Sequence, residues 1–140
     1  METRPEYTCF WLGLSKLGIT TALVNSNLRK DTLVHSIRTA NSKAIIFGVE
    51  LADALNDIQD NEYVKTLPIY HFSDKKQRTA SNTKVPEDSI DLFKELENIS
   101  NKPPHDEMEK VNPREKMVYI YTSGTTGLPK AAVITNLRYF

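Results

Sequence analysis

Short apolar runs alternate with amphipathic stretches along most of the 140-residue chain, and this alternation limits the possible folds more than any other feature. The apolar runs are too short for helices and most are rich in β-branched or aromatic residues, so each is predicted to be a strand. They are Ile19–Val24, Lys43–Gly48, Leu67–Phe72, Met117–Tyr121 and Ala131–Ile134. Buried strands that alternate with helices are typical of an α/β domain. We therefore predict a mixed sheet with helices on both faces.

Four helices are predicted from apolar residues that recur at spacings of three and four. The first is expected to be capped by Thr3 and to end at Gly18, and the second to be capped by Asn27. The apolar positions of the other two are Leu51, Leu55 and Ile58, and then Ile90, Phe93, Leu96 and Ile99. Asn136 is expected to cap a final helix. Residues 73–87 are polar and residues 101–113 contain prolines, so both segments are predicted to be surface loops.

Composition excludes several classes of function. The 18 basic and 18 acidic side chains give a formal net charge of zero, which provides no general attraction to nucleic acid or to an anionic membrane. No apolar run approaches the roughly 18 residues that a membrane-spanning helix needs. Cys9 is the one cysteine, so no disulfide can form within the chain. The three histidines are too scattered along the sequence to predict a metal site.

The most specific local motif joins the last two predicted strands. The connection reads Thr122-Ser123-Gly124-Thr125-Thr126-Gly127-Leu128-Pro129-Lys130. Hydroxyl groups donate hydrogen bonds to phosphate oxygens, glycines let the backbone approach an anion closely, and a lysine adds positive charge. The spacing of the glycines and the strand that follows exclude a Walker A motif, in which a helix follows directly. A phosphate-binding loop between two strands is therefore predicted, with an ordinary polar turn as the alternative.

Residues Thr122–Lys130 match, at every constrained position, the phosphate-loop signature of the adenylate-forming superfamily, which includes acyl-CoA synthetases, luciferases and peptide-synthetase adenylation domains. Three further segments and the Tyr119–Tyr121 lead-in resemble its fatty acid transport protein branch, whose members are also very-long-chain acyl-CoA synthetases. The three segments are Glu2–Tyr7, Trp11–Gly18 and Asn25–Arg29. Asn136 departs from this branch, which usually has histidine at that position.

This resemblance implies that residues 1–140 are part of the N-terminal AMP-binding domain of a larger enzyme, truncated at both ends. Such an enzyme uses ATP with Mg²⁺ to convert a long-chain or very-long-chain fatty acid to an acyl-adenylate, and then transfers the acyl group to coenzyme A. Hydroxyls and amides would bind the β- and γ-phosphates, glycines would permit close approach, and Lys130 would neutralise charge. The implied nucleotide-binding residues are Tyr119, Ile120, Tyr121, Thr122, Ser123, Gly124, Thr125, Thr126, Gly127, Leu128, Pro129 and Lys130.

The resemblance also predicts what these residues do not do alone. The superfamily's later motifs fall outside the chain, so the 140 residues by themselves are expected to be inactive. The family implies association with the cytosolic face of the endoplasmic reticulum or the plasma membrane. It implies no binding of nucleic acid, and a homo-oligomer is compatible with it. Two alternatives stay open: a ligase for bile acids or medium-chain acids, and a truncated, non-catalytic nucleotide-binding product.

Overall fold

The structure is a computed structural model that describes residues 1–74, 84–102, 112–122 and 127–139. Helices and strands follow one another along the chain as the alternating pattern predicts. In order they are α1 (Pro5–Lys16), β1 (Thr21–Leu23), α2 (Lys30–Thr39), β2 (Ile45–Gly48), α3 (Ala52–Asn56), β3 (Ile69–Phe72), β4 (Ile90–Asp91), α4 (Leu92–Glu97), β5 (Lys116–Thr122), β6 (Lys130–Thr135) and α5 (Asn136–Tyr139). Short 3₁₀ turns cover Val49–Leu51 and Val64–Thr66. The predicted α/β class is confirmed.

The described strands form two three-stranded sheets. In the first, β5 lies in the centre, parallel to β1 and antiparallel to β6. In the second, β3 lies between β2 and β4, and all three are parallel. The mixed sheet predicted from the sequence is the first of these, and the division into two sheets was not predicted. Sequence pattern identifies strands but not their partners, which are far apart along the chain.

The main core lies where α2 and α3 pack against the second sheet. Its centre is Phe47 of β2, of which 2% is exposed, and Val64, which is fully buried. The complete cluster is Leu33, Ile37, Phe47, Ala52, Ala54, Leu55, Ile58 and Val64. In the first sheet, Met117 and Val118 are buried at the beginning of β5. Helix α2 is thus fixed by its apolar side to the second sheet.

Helices α1 and α2 do not begin after the predicted caps Thr3 and Asn27. Helix α1 begins at Pro5 with extended Arg4, not Thr3, at the cap position, and the Arg4 side chain pairs with Glu50 of a distant turn. Helix α2 begins at Lys30, because the chain first turns at Asn25, whose side-chain oxygen accepts from the N–H of Asn27. Asparagine side chains often stabilise such turns instead of capping helices.

Two other predicted helices are shorter than their apolar patterns indicate. Ile90 belongs to strand β4, where it is aligned with Tyr70, and Asp91 caps α4 by accepting from the N–H groups of Phe93 and Lys94. The third predicted helix is α3 with a 3₁₀ turn before it, and Ile58 follows the helix while remaining buried. A capping aspartate and a 3₁₀ turn therefore set boundaries that apolar spacing alone does not reveal.

The centres of the two predicted surface loops, residues 75–83 and 103–111, lie outside the described residues. Their described ends differ in exposure. Ser73 and Pro86 are buried, whereas Lys102 is exposed. The chain thus leaves and re-enters the second sheet through buried positions.

Candidate phosphate-binding site

The predicted phosphate loop connects two antiparallel strands. Strands β5 and β6 pair from Lys116 opposite Thr135 to Thr122 opposite Lys130, and residues 123–129 connect them. Because β6 continues directly from Lys130, the connection leads into a strand and not into a helix. This confirms the predicted strand–loop–strand arrangement. Ser123, Gly124, Thr125 and Thr126 lie outside the described residues.

The described flanks of the loop face solvent. The hydroxyl of Thr122 donates to the carbonyl oxygen of Lys130 at 3.4 Å, across the mouth of the hairpin. Thr122, Gly127, Leu128 and Lys130 are exposed, and Pro129 is half-buried. Within the described part of the chain, Lys130 forms no salt bridge. A hydroxyl and a lysine side chain are therefore accessible at one end of the hairpin, a donor set that suits a polyanion.

Gly127 has a backbone conformation that favours glycine. Its φ angle is +82°, in the left-handed region, and a Cβ built there would have no atom of the described residues within 4 Å. The conformation itself, and not crowding by neighbours, therefore accounts for a glycine at this position. The open space also leaves the backbone of the loop exit free for close approach by a ligand.

The two faces of β5 have different surroundings near the loop. Ile120 and Thr122 are exposed on one face, while Tyr119 and Tyr121 are half-buried on the other. The phenol of Tyr121 donates to the carbonyl oxygen of Ser36 in α2 at 2.5 Å, and Ser36 is fully buried. Burial raises the pKa of Tyr121, and nearby Tyr119 raises it further, so the phenol remains protonated at neutral pH. Residues 121 and 36 are 85 positions apart, and no sequence signal predicts this contact.

Asn136 holds the opposite end of the hairpin. It is the first residue of α5, and its side-chain amide donates to the carbonyl oxygens of Asn112 and Glu115 at 3.3 and 3.2 Å. Its side chain therefore does not cap the final helix as predicted. Instead it fixes the turn that precedes β5. This contact stabilises the base of the hairpin, at the end away from the loop.

A cavity of about 960 Å³ lies apart from the loop, between α1 and the two sheets. It is lined mainly by apolar side chains, among them Phe10, Trp11, Leu33 and Phe47. The hairpin contributes Lys116 and Tyr119 to its wall, and the loop residues Thr122 and Gly127–Lys130 do not line it. The cavity is therefore separate from the candidate phosphate site.

The described residues contain neither a metal-binding cluster nor a membrane-spanning helix. No group of three or more His, Cys, Asp or Glu side chains in residues 1–74, 84–102, 112–122 and 127–139 is arranged to hold a metal ion. Nor does any helix in these ranges have the length and apolar character to span a membrane.

Comparison with known proteins assigns the chain to a family. The family model described as "AMP-binding enzyme" matches residues 1–140, which is the whole chain. The chain belongs to the AMP-binding enzyme family. The hairpin with its Ser-, Thr- and Gly-rich connection therefore lies in an AMP-binding fold.

Relatives place the chain within this family and show how much of a member it represents. It is 38% identical over 143 residues to long-chain fatty acid transport protein 1 of Bos taurus, and 35% identical over 139 residues to long-chain fatty acid transport protein 6 of Mus musculus. The match covers 100% and 99% of this chain but 21% of each relative. The chain thus spans about one fifth of the length of the curated relatives it matches.

A solved structure supports the fold. The N-terminal domain of FACL13 from Mycobacterium tuberculosis, determined with an inhibitor bound, superposes with a TM-score of 0.73 at 22% identity. The superposition covers 96% of this chain and 29% of that domain. The described elements are therefore arranged as in part of that N-terminal domain.

Proposed function

We propose that these residues are part of an ATP-dependent fatty acid–CoA ligase of the fatty acid transport protein type, and that the loop between β5 and β6 binds the β- and γ-phosphates of ATP. The observation that carries the proposal is the signature Thr122–Lys130 placed between two antiparallel strands, with its described flanks exposed. The names of the relatives support a long-chain fatty acid as the other substrate.

The proposed reaction makes a specific electrostatic demand on the protein. A carboxylate oxygen of the fatty acid attacks the α-phosphorus of ATP, pyrophosphate leaves, and the thiol of coenzyme A then displaces AMP from the acyl-adenylate. An anion must therefore approach a polyanion, and negative charge increases on the leaving pyrophosphate. Positive charge and hydrogen-bond donors near the β- and γ-phosphates reduce this barrier.

We assign the individual roles from the resemblance of the signature to that of the adenylate-forming superfamily, with which the chemistry of the residues agrees. Thr122, Ser123, Thr125 and Thr126 would donate hydrogen bonds to phosphate oxygens, while Gly124 and Gly127 would allow the backbone to approach them. Lys130 would contribute a positive charge at the loop exit, where its side chain is exposed. Tyr119–Tyr121 would position the loop, and Leu128 and Pro129 would shape its exit. Mg²⁺ would accompany the nucleotide, since this ion commonly bridges substrate phosphates.

The decisive experiment places the chain in a full-length relative. Residues 1–140 would replace the matching segment of the bovine long-chain fatty acid transport protein 1, and fatty-acid-dependent exchange of labelled pyrophosphate into ATP would be measured. We expect exchange in the chimera and a decrease of about 10- to 100-fold in its Lys130→Ala variant, because a charge that stabilises the leaving group is lost.

The matched control is Lys94→Ala, which removes the same charge from an exposed site on α4, away from the hairpin. Its exchange rate should equal that of the unmodified chimera. Unchanged exchange in Lys130→Ala would contradict the assigned role. A folded chimera that binds Mg-ATP but supports no exchange would favour the non-catalytic alternative.

Further properties of the intact protein follow from the same proposal. It would act on the cytosolic face of the endoplasmic reticulum or plasma membrane, where long-chain fatty acids and ATP are both available. Because the other catalytic segments of the superfamily would come from the remaining four fifths of the protein, we propose that the 140 residues alone have no ligase activity.

A further inference from the structure

Among the described residues, the last two residues of β5 pair with a neighbouring strand on one side only. Strand β1 pairs with β5 from Val118 only as far as Ile120, so Tyr121 and Thr122 have β6 on one side and no partner strand on the other among the described residues. The loop begins directly after Thr122. Other contacts must therefore help to hold these two residues, which lead into the loop.

The phenol of Tyr121 supplies such a support. Its hydrogen bond to the carbonyl oxygen of Ser36 connects the end of β5 to helix α2, which is packed through Leu33 and Ile37 into the core of the second sheet. This carbonyl lies in the last turn of α2, where helix carbonyls carry partial negative charge. It also accepts a longer bond, of 3.3 Å, from the N–H of Ala40. Of these two hydrogen bonds to the Ser36 carbonyl oxygen, the one from the Tyr121 hydroxyl is therefore the shorter.

We propose that Tyr121 is a positioning residue for the phosphate loop. Its phenol would hold the end of β5, with Thr122 as its last residue, at a fixed place relative to α2 and the second sheet. It would thus act on phosphate through Thr122, without touching the ligand. This inference rests on the proposed function, because it assumes that the loop binds phosphate.

The test compares Tyr121→Phe with Tyr63→Phe. Each substitution removes one phenol-to-carbonyl hydrogen bond and keeps the ring: the phenol of Tyr63 donates to the carbonyl oxygen of Ser42 at 2.9 Å, beside the core and away from the hairpin. Both variants should lower the melting temperature by about 3–5 °C, the effect of losing one such bond in a domain of this size. Only Tyr121→Phe should affect the loop.

The measurement is an NMR titration of the ¹⁵N-labelled 140-residue chain with magnesium pyrophosphate. In the wild type we expect the amide signals of Thr122 and Gly127 to shift with a dissociation constant in the millimolar range. Tyr121→Phe should raise this constant about three- to tenfold, whereas Tyr63→Phe should leave it unchanged. In the wild type the signal of Ala40 should shift as well, because its N–H shares the Ser36 carbonyl, and this response should be absent in Tyr121→Phe.

Each outcome bears on a different statement. Equal affinity in the wild type and Tyr121→Phe, or the same loss in Tyr63→Phe, would overturn the positioning role while leaving phosphate binding by the loop intact. A wild type in which Thr122 and Gly127 do not respond would overturn the proposed phosphate loop and this inference with it. If Tyr121→Phe does not fold, the response of Ala40 in the wild type still decides, since an unmoved signal would contradict the connection.

Discussion

Replacing Gly48 with alanine tests how the N-terminal segment is held to the second sheet. Gly48 ends β2, and its φ of −83° is accessible to any residue, so the substitution introduces no backbone strain. A Cβ at this position, however, would overlap Nη2 of Arg4 and both carboxylate oxygens of Glu50. These atoms are the ends of flexible side chains. They can move away, but only by separating the ion pair.

The expected cost is that of the interactions lost when the pair separates. Nη2 of Arg4 donates to the two carboxylate oxygens of Glu50 at 3.0 and 2.8 Å, and the Glu2 N–H donates to one of them at 2.8 Å. The two side chains are only 16% and 18% exposed, so water replaces these bonds incompletely. Charged hydrogen bonds of this kind contribute about 2–3 kcal/mol together, and alanine returns about 0.5–1 kcal/mol by restricting the unfolded chain. We expect a net loss of about 1–2 kcal/mol.

Urea denaturation followed by circular dichroism would measure this loss. Gly13→Ala is the matched control, because Gly13 is exposed in α1. Apart from the helix's own backbone, no atom of the described residues lies within 4 Å of a Cβ there, so this variant should gain about 0.5–1 kcal/mol from helix propensity. In a Glu50→Ala background the pair is already absent, and Gly48→Ala should then cost little. A neutral Gly48→Ala, or an equal cost in both backgrounds, would refute the reasoning.

Two further predictions concern acid stability and the loop. Burial alone would raise the pKa of Glu50, but hydrogen bonds from the N–H groups of Glu2 and Glu50 and the charge of Arg4 outweigh it and hold the pKa below its ordinary value. The ionised carboxylate therefore stabilises the fold fully above the pKa that Glu50 has in the unfolded chain, and this stabilisation is lost as the pH falls through the lower, folded-state pKa. Glu50→Gln should accordingly flatten the acid limb of a stability–pH curve measured by urea denaturation. An unaltered limb would contradict this. Gly127→Ala should weaken magnesium pyrophosphate binding about fivefold in an NMR titration, because alanine disfavours a φ of +82° by roughly 1 kcal/mol. Gly127→Asn should bind more nearly like the wild type, because asparagine adopts the left-handed conformation more readily. Equal binding by all three proteins would be inconsistent with a required left-handed conformation.

The features that the sequence predicts correctly are local ones. The loop lies between two strands because the apolar runs Met117–Tyr121 and Ala131–Ile134 border a segment of hydroxyl and glycine residues, all within about 20 positions of one another. The strand pattern likewise indicates the α/β class, since burial on both faces requires continuous apolar runs.

Features that depend on distant residues could not be predicted. Pairing of β5 with β1 joins residues about 97 positions apart, and nothing in either strand specifies the other. Arg4, which stands at the cap position of α1, pairs with Glu50 of another element. The contact of Tyr121 with Ser36 uses a backbone carbonyl, which every residue has and which therefore leaves no trace in the sequence.

The central claim is that the β5–β6 loop holds the terminal phosphates of ATP. An ATP analogue that carries an acyl group on its γ-phosphate transfers that group to a lysine amine near the phosphate, and peptide mass spectrometry identifies the acylated lysine. In the chimera, the account predicts preferential labelling of Lys130, suppressed by excess Mg-ATP. Labelling spread over exposed lysines such as Lys94, or labelling of Lys130 that Mg-ATP does not suppress, would contradict it.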